Sequence, residues 1–449
     1  MEIKENKMGV MPINKLIINM SLPMVISMLV MALYNIVDSM FVSWINEEAL
    51  TAVSTAFPLQ NLMIAVATGT GVGLNALISR SLGEKNRDAA CGYAKNGVFL
   101  AICSWVVFLV VGIVAVKPFF LSQTTDTKII EYGIDYTTIV LTMSIGVFGE
   151  ICFERLMQST GKTLLSMITQ IIGAVINIIF DPIFIFTFRL GVAGAAWATV
   201  FGQIVAFIAA IILNKKKNPE IELGFKNFRP SWKYIKKIYG IGIPSIIMAS
   251  IGSVMYYGVN KILIGFTNTA SAVFGVYFKL QSFVFMPIFG LNNGIIPIIG
   301  YNYGAGNRKR IMKTLYIGMF YSVFIMAIGT MIFQFFPDLI LSIFNASPEM
   351  LSMGRVALRT ASLPFMVAGI CIVIGSMFQA LGNGFSSMLV SITRQLVVLL
   401  PVAYFLSLSG DVNMVWWAFP IAEVGSLIAS ILLYIRIYHK KLKFVPLGV

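Results

Sequence analysis

The sequence predicts an all-α polytopic membrane protein with about twelve transmembrane helices, arranged as two six-helix bundles related by a parallel internal repeat. Three observations lead to this fold class. Of the 449 residues, 58% are hydrophobic and only 12% are charged, whereas about 25% are charged in an ordinary soluble protein. Apolar stretches of about 20 residues, long enough to cross a bilayer, recur along the whole chain. The second half of the sequence also repeats the first.

Twelve apolar spans follow one another in the sequence. They begin near Leu16, Leu50, Ala94, Tyr132, Leu164, Gly191, Ile235, Ser271, Ile311, Leu351, Phe385 and Met414. The first span is longer than the apolar core of a signal peptide and has no small-residue cleavage site after it. We therefore expect it to remain in the protein as a helix.

The positions of the basic residues predict the orientation of the spans. The net charge is +14, and the Lys and Arg residues are concentrated in every second loop, for example around Arg87, Lys216, Arg308 and Lys440. Because basic loops remain on the cytoplasmic side, we predict a multi-pass protein of the cell membrane with both termini in the cytoplasm. The positive charge follows this topology, so we expect the lipid bilayer as a partner and no nucleic acid.

The internal repeat appears when the sequence is shifted by 221 positions against itself. The shift superimposes Pro23 on Pro244, Phe57 on Phe278, Gly83 on Gly304 and Gln158 on Gln379. We predict an N-terminal lobe at 1–213, a cytoplasmic linker at 214–230 and a C-terminal lobe at 231–449. Each lobe has an even number of spans, so both enter the membrane in the same orientation, as in transporters built from parallel repeats.

The first span contains a carboxylate, Asp38, in otherwise apolar surroundings. Inserting an acid at this depth costs roughly 2.5 to 3.5 kcal/mol, so such residues usually mark ion or proton pathways. Tyr34 and Asn35 lie one turn earlier on the same helix face. We expect Pro23 to bend this helix.

The fifth span carries a second acid, with Asn177 and Asp181 one turn apart on one face. Pro182 follows directly and cannot donate a backbone hydrogen bond, so we expect a kink there. Asp38, Asp181 and Thr199 each lie eight residues from an outer loop, which is about 12 Å below the outer surface.

We therefore predict a coupling-ion site formed by Asp38, Asn177, Asp181 and Thr199. Two carboxylates in an apolar pocket repel each other when both are ionised, which favours the capture of a proton or a cation. The oxygen ligands are compatible with either H⁺ or Na⁺, and we expect no other metal. The alternative is that each acid only forms a structural hydrogen bond between helices.

The second half has no counterpart of this site. The shift places Asp38 on Val259 and Asp181 on Val402, so we expect ion coupling in the first half alone. Glu154 and Arg155 could form a tethering pair or part of a cavity wall. Aromatic and methionine side chains facing a cavity would bind flat organic cations. The candidates for this substrate cavity are Tyr34, Asn35, Glu154, Tyr256, Lys279 and Met286.

The sequence does not favour an enzyme. The one histidine, His439, lies in the basic C-terminal tail, so no nucleophile, histidine and acid can be assembled. The segment 160–163 resembles the end of a phosphate-binding loop, but Leu156 stands where its first glycine is required. The four cysteines show neither disulfide nor zinc spacing. We expect no cofactor apart from the coupling ion.

These motifs together resemble the MATE (multidrug and toxic compound extrusion) family, most closely its DinF or MepA-type bacterial branch. The resemblance covers essentially the whole chain. It rests on Leu22-Pro23, the 34–38 motif with Phe41-Val42, the turn at 83–87, and the segments 158–161, 177–184 and 191–196 before Thr199.

The resemblance implies a secondary antiporter that expels organic cations and drugs from the cytoplasm in exchange for inward H⁺ or Na⁺. It implies multidrug efflux and antibiotic resistance. We expect the protein to function as a monomer. Asp38, Asn177, Asp181 and Thr199 match the N-lobe ion site of that branch. Members with a carboxylate site in the C-lobe would need acids in the seventh and tenth spans, and this sequence has none there.

Two other classes of function stay open at this point. A flippase for lipids or lipid-linked sugars could share the architecture and would use cavity cations such as Lys261, Lys279 and Arg359. An intramembrane aspartyl protease could use Asp38 and Asp181.

Overall fold

The computed structural model describes residues 6–224, 226, 228–344 and 346–447. The outermost ends of the two predicted lobes, and positions 225 and 227 of the predicted linker, lie outside these ranges. Within them, ten helices are long and apolar enough to cross a membrane, and two bent helix pairs raise the number to twelve. The described ranges contain no strand. The predicted all-α polytopic fold class is therefore confirmed.

The first lobe contains nine helices and one π-helical turn. They are α1 (Lys7–Val10), α2 (Ile13–Ser43), α3 (Glu47–Gly83), α4 (Arg87–Val114), α5 (Val116–Gln123), α6 (Thr127–Thr142), α7 (Ile145–Ser159), α8 (Thr163–Pro182), the π-helical turn Ile183–Thr187 and α9 (Gly191–Lys217).

The second lobe repeats this order. Its helices are α10 (Trp232–Ile264), α11 (Asn268–Gly304), α12 (Arg308–Phe335), α13 (Pro337–Ser342), α14 (Pro348–Ser362), α15 (Phe365–Ala380), α16 (Gly384–Ile392), the π-helical segment Thr393–Leu399, α17 (Leu400–Ser407), α18 (Val412–Val415) and α19 (Ala418–Lys440).

Most spans begin several residues before the predicted position. The third span starts at Arg87 rather than near Ala94. The reason is a polar first turn, in which the Asn86 side chain accepts the backbone N–H of Ala89 at 3.0 Å and so satisfies one donor that the helix leaves unpaired. An apolar window cannot detect such a turn.

Two spans are bent in a way that the sequence analysis does not anticipate. The fourth span consists of α6 and α7 at 43°, and the tenth of α14 and α15 at 44°. Pro364 lies at the second break, where it cannot donate a backbone hydrogen bond. Helix α2, in contrast, runs without a break through Pro23, so a bending role for that residue stays a prediction.

The two lobes pack tightly at the end of the molecule where the described chain begins, at Asn6, and ends, at Leu447, here called the terminal side. A Cβ atom at Gly83 would overlap with the carbonyl oxygen of Tyr301, and one at Gly304 would overlap with that of Arg80. The Arg80 guanidinium also lies 4.8 Å from the centre of the Tyr303 ring. Only glycine allows the backbones of α3 and α11 to come this close.

Helix α1 bridges the two lobes on the same side. The Asn6 side chain donates to the carbonyl oxygen of Thr160 in the first lobe at 3.1 Å. From the second lobe, Arg310 donates to the carbonyl oxygens of Met8 at 3.0 Å and Met11 at 2.7 Å. The chain terminus therefore holds the lobes together.

The burial of α3 shows where the lobes separate. From Gly69 to Gly83 this helix is buried at almost every position, whereas its beginning is buried only along one face. Phe57, for instance, is 61% exposed. The molecule is closed on the terminal side, and the packing between the lobes loosens towards the opposite side.

We expect Gly83→Ala to push the lobes apart on the terminal side, because the new methyl group has no room beside Tyr301. Spin labels at the exposed positions Lys216 and Lys440 would then report longer distances than in the unsubstituted protein. The matched control is Gly240→Ala, since a Cβ there meets nothing within 4 Å. Identical distance distributions in the two variants would contradict this interpretation of the interface.

Candidate ion site in the first lobe

Two acidic side chains meet inside the first lobe. Asp38 of α2 is 9% exposed, and Asp181 near the end of α8 is fully buried. Their carboxyl groups lie within hydrogen-bonding reach of each other. Oδ1 of Asp38 has no hydrogen-bond partner among the described residues. Two ionised carboxylates this close repel strongly in an apolar interior, so the arrangement requires a proton or a cation between them.

The Asn177 amide connects Asp181 to helix α9. Its Nδ2 lies 3.4 Å from Oδ1 of Asp181 and 3.3 Å from Oγ1 of Thr199. With the amide turned over, Nδ2 donates to Oδ2 of Asp181 at 3.2 Å and the amide oxygen accepts the backbone N–H of Thr199 at 3.3 Å. Only the turned orientation gives the amide oxygen a donor. The structure thus brings together all four residues of the predicted site.

Local sequence explains how α8 and α9 come so close. A Cβ on Gly202 of α9 would meet the carbonyl oxygen of Gly173 on α8 at 2.7 Å, and one on Gly194 would meet that of Phe184 at the same distance. Pro182 ends the regular part of α8, and the π-helical turn Ile183–Thr187 follows. Such a turn rotates the chain because it widens the hydrogen-bonding pattern. The kink predicted at Pro182 stays a prediction.

Two further polar residues border the acid pair. Tyr136 of α6 accepts a hydrogen bond from Nε2 of Gln60 at 3.0 Å. Its ring is buried, and it lies within electrostatic range of Asp38 and Asp181, as does Tyr34. Tyr136 and Gln60 are not among the residues predicted from the sequence. Tyr136 lies nine residues after Thr127, where α6 begins, so the same depth argument could have found it.

Glu154 and Arg155 do not form the ion pair that the sequence allowed. Glu154 accepts hydrogen bonds from Thr169 at 3.3 Å and Gln170 at 2.8 Å inside the first lobe. Arg155 points elsewhere, because neighbouring residues of a helix face different directions. Its Nη1 donates to the amide oxygen of Asn293 on α11 at 2.9 Å. Arg155 is therefore a buried tether between the lobes.

Within the described residues, the other candidates for a substrate cavity form no hydrogen bond or ion pair with Asp38 or Asp181. Asn35 and Lys279 are exposed, and Met286 is partly buried. Tyr256 stacks on Phe274 at 5.0 Å in the second lobe. The cavity assignment of Tyr34, Asn35, Glu154, Tyr256, Lys279 and Met286 stays a prediction.

Comparison with known proteins identifies the family. The model of the MatE family matches twice, at residues 23–183 and 244–405. The chain belongs to the MatE family. The two matches begin 221 residues apart, which is the shift of the internal repeat. This MatE protein therefore has two repeated halves, as predicted.

The relatives of this MatE protein cover almost all of it. The chain is 27% identical over 422 residues to the multidrug export protein MepA of Staphylococcus haemolyticus, covering 94% of this chain and 93% of that protein. It is 25% identical over 427 residues to MepA of Staphylococcus aureus strain MRSA252, with the same coverage.

A solved structure confirms the fold over almost the whole chain. An outward-facing conformation of a multidrug resistance MATE transporter of the MOP superfamily superimposes with a TM-score of 0.91 at 26% identity. The match covers 98% of this chain and 99% of that one.

We expect Asn293→Ala to destabilise the protein, since Arg155 loses a partner while its charge stays buried. A hydrogen bond to a charged group contributes about 1.5 to 3 kcal/mol, so the free energy of unfolding should fall by this amount. The matched control is Asn292→Ala, because Oδ1 of Asn292 has no partner among the described residues. Thermal unfolding of both variants in detergent tests this, and equal midpoints would argue against the tether.

Proposed function

We propose that this protein is a secondary active antiporter that exports organic cations, drugs among them, from the cytoplasm in exchange for inward H⁺ or Na⁺. The observation that carries this proposal is the acid pair inside the first lobe. Asp38 and Asp181 lie on different helices, face each other, and leave one oxygen without a partner among the described residues. Such a pair changes its interaction energy greatly when an ion arrives.

The ligand chemistry supports either coupling ion. A proton shared by Asp38 and Asp181 would turn their repulsion into a hydrogen bond. Na⁺ would be held by the carboxylates together with the oxygens of Asn177 and Thr199, which are hard ligands of the kind that such cations prefer. We propose no other cofactor or metal.

The substrate class is supported by the relatives, whose names describe multidrug export. Within this chain, Tyr256, Phe274 and Phe278 form an aromatic group in the second lobe, with ring centres 4.8 to 6.2 Å apart. Aromatic faces attract organic cations. Tyr34, beside the acid pair, would bring a bound cation close to the coupling ion.

The proposed transport step links ion and drug through the conformation of α2. We place the terminal side in the cytoplasm and the protein in the cell membrane, because the basic loops lie on that side. In the conformation described here that side is closed, so an external ion reaches Asp38 and Asp181 first. The bound ion removes the repulsion, α2 repacks near Pro23 or beyond Tyr34, and drug affinity falls. Exchange then depends on ion and drug preferring different states.

The other classes of function receive less support. For a lipid flippase, the cations should converge on a phosphate, yet Lys261 and Lys279 are exposed and Arg359 donates to the carbonyl oxygen of Gln334 at 3.1 Å. For a protease, the acid pair would need access to a peptide, whereas Asp181 is fully buried. We propose a transporter rather than an enzyme. Both lobes belong to one chain, which supports function as a monomer.

The test is efflux of a fluorescent cationic dye from proteoliposomes, driven in turn by a proton gradient and a sodium gradient. We expect one gradient to drive efflux, and Asp38→Asn and Asp181→Asn each to reduce it at least about tenfold, because one carboxylate alone binds the ion weakly. Glu131→Gln, an exposed acid at the start of α6, should transport normally.

Two results would contradict the proposal. If neither gradient moves the dye while a labelled lipid crosses the membrane, the flippase alternative is correct. If Asp38→Asn transports like the unsubstituted protein, the coupling site lies elsewhere.

A further inference from the structure

Apart from the candidate ion site, the molecule contains an ion pair in the second lobe in which the acid is buried and the arginine is partly exposed. Nη1 of Arg394, in the π-helical segment Thr393–Leu399, lies 3.7 Å from Oε2 of Glu423 on α19. Glu423 is 6% exposed. The other acids of the second lobe, Asp338, Glu349 and Asp411, lie at the starts of helices near the ends of spans. Glu423 is thus the one acid buried within the spans of that lobe, in the part of the chain that the structure describes.

The internal repeat gives this pair a counterpart in the first lobe. The shift of 221 places Arg394 on Gly173, one turn before Asn177. In the last span of each lobe the shift is 220, as Trp197 and Trp417 show, and it places Glu423 on Gln203, one turn after Thr199. Because α8 and α9 run in opposite directions, both positions lie about one turn closer to the terminal side than the candidate ion site.

Several oxygens around this pair are incompletely bonded. Oε1 of Glu423 and the hydroxyls of Ser426 and Ser430 form no hydrogen bond of good geometry within the described ranges, although Ser426 lies within hydrogen-bonding reach of Glu423 and both serines lie within reach of Cys371. Both serines are fully buried. Their spacing of three and seven residues from Glu423 places all three on one face of α19. This face therefore presents a carboxylate and two hydroxyl oxygens, which are ligands of the kind that Na⁺ prefers.

In the part of the chain that the structure describes, the neighbouring elements supply no second acid. The titratable groups beside Glu423 are Tyr277 of α11 and Cys371 of α15, in addition to Arg394. Tyrosine and cysteine are neutral at ordinary pH when buried. Arg394 is therefore the charge that balances Glu423.

We propose that Arg394 is a built-in cation that fills a latent ion site in the second lobe, formed by Glu423, Ser426 and Ser430. An arginine side chain does not release its proton in a protein, so this lobe cannot exchange its cation during a transport cycle. Ion coupling is thereby confined to the first lobe. The inference deepens the proposed antiport function, on which this last consequence rests.

The proposal predicts what happens when the arginine is removed. A buried carboxylate that loses its partner is strongly unfavourable, so Glu423 in Arg394→Met must take up a proton or Na⁺. The Arg394→Met variant would therefore gain an exchangeable ion site that depends on Glu423. Arg394→Lys keeps a positive charge and should create no such site.

The experiment uses the full-length protein carrying Asp38→Asn and Asp181→Asn, so that the candidate site of the first lobe is silent. Binding of radioactive sodium and the infrared band of a protonated carboxyl group are both measured. Without a change at Arg394 we expect neither signal from Glu423. Adding Arg394→Met should produce about one sodium site per chain or one new carboxyl band. Adding Glu423→Gln should abolish either signal.

The proposal is overturned if Arg394→Met is folded and gains neither signal, or if a gained signal survives Glu423→Gln. Arg394→Gln, which retains polarity and can bond to Glu423, replaces Arg394→Met if that variant is not monodisperse, with the same criteria. This experiment is independent of the antiport proposal. The antiport proposal is tested separately, by the dye efflux assay on the protein with Asp38 and Asp181 intact.

Discussion

The structure depends on the cost of placing two carboxylates against each other inside a membrane lobe. Asp38 and Asp181 come from helices far apart in the sequence, and Gly173, Gly194 and Gly202 let α8 and its extension pack closely on α9, which carries Thr199. Water is excluded from Asp181, which is fully buried, so its charge is poorly screened. The interaction between the two carboxylates changes from repulsive to attractive when a proton or cation binds. Helix α2 carries Asp38 and also packs against the second lobe at Gly290 and Gly294.

The two lobes solve the problem of buried charge differently. The first lobe leaves its acid pair without a balancing side chain, which favours an exchangeable ion. The second lobe balances Glu423 with Arg394, which favours a fixed arrangement. Arg155 adds a third solution, a buried cation held by the amide oxygens of Gln158 and Asn293. The unbalanced carboxylates that our proposal makes responsive to an ion therefore lie in one copy of the repeat.

Much of the fold and of the candidate ion site could be predicted from the sequence, because hydropathy, charge asymmetry and the internal repeat can be read directly along one chain. Counting residues from the outer loops also placed Asp38, Asp181 and Thr199 at one depth. Depth alone does not give the rotation of a helix, however. For this reason the sequence could not show that Glu154 and Arg155 face different partners, or that Gln60 bonds to Tyr136.

The central claim is that the coupling ion and the organic cation bind preferentially to different conformations of the protein, so that each weakens binding of the other. Equilibrium binding of a fluorescent cationic dye to the purified protein, measured at increasing Na⁺ and at decreasing pH, tests this claim without a membrane or a gradient. The account predicts that one of these ions weakens dye binding in the unsubstituted protein and that the effect disappears in Asp181→Asn, since coupling between two ligands is reciprocal. A dye affinity that is independent of both ions in the unsubstituted protein would contradict the account.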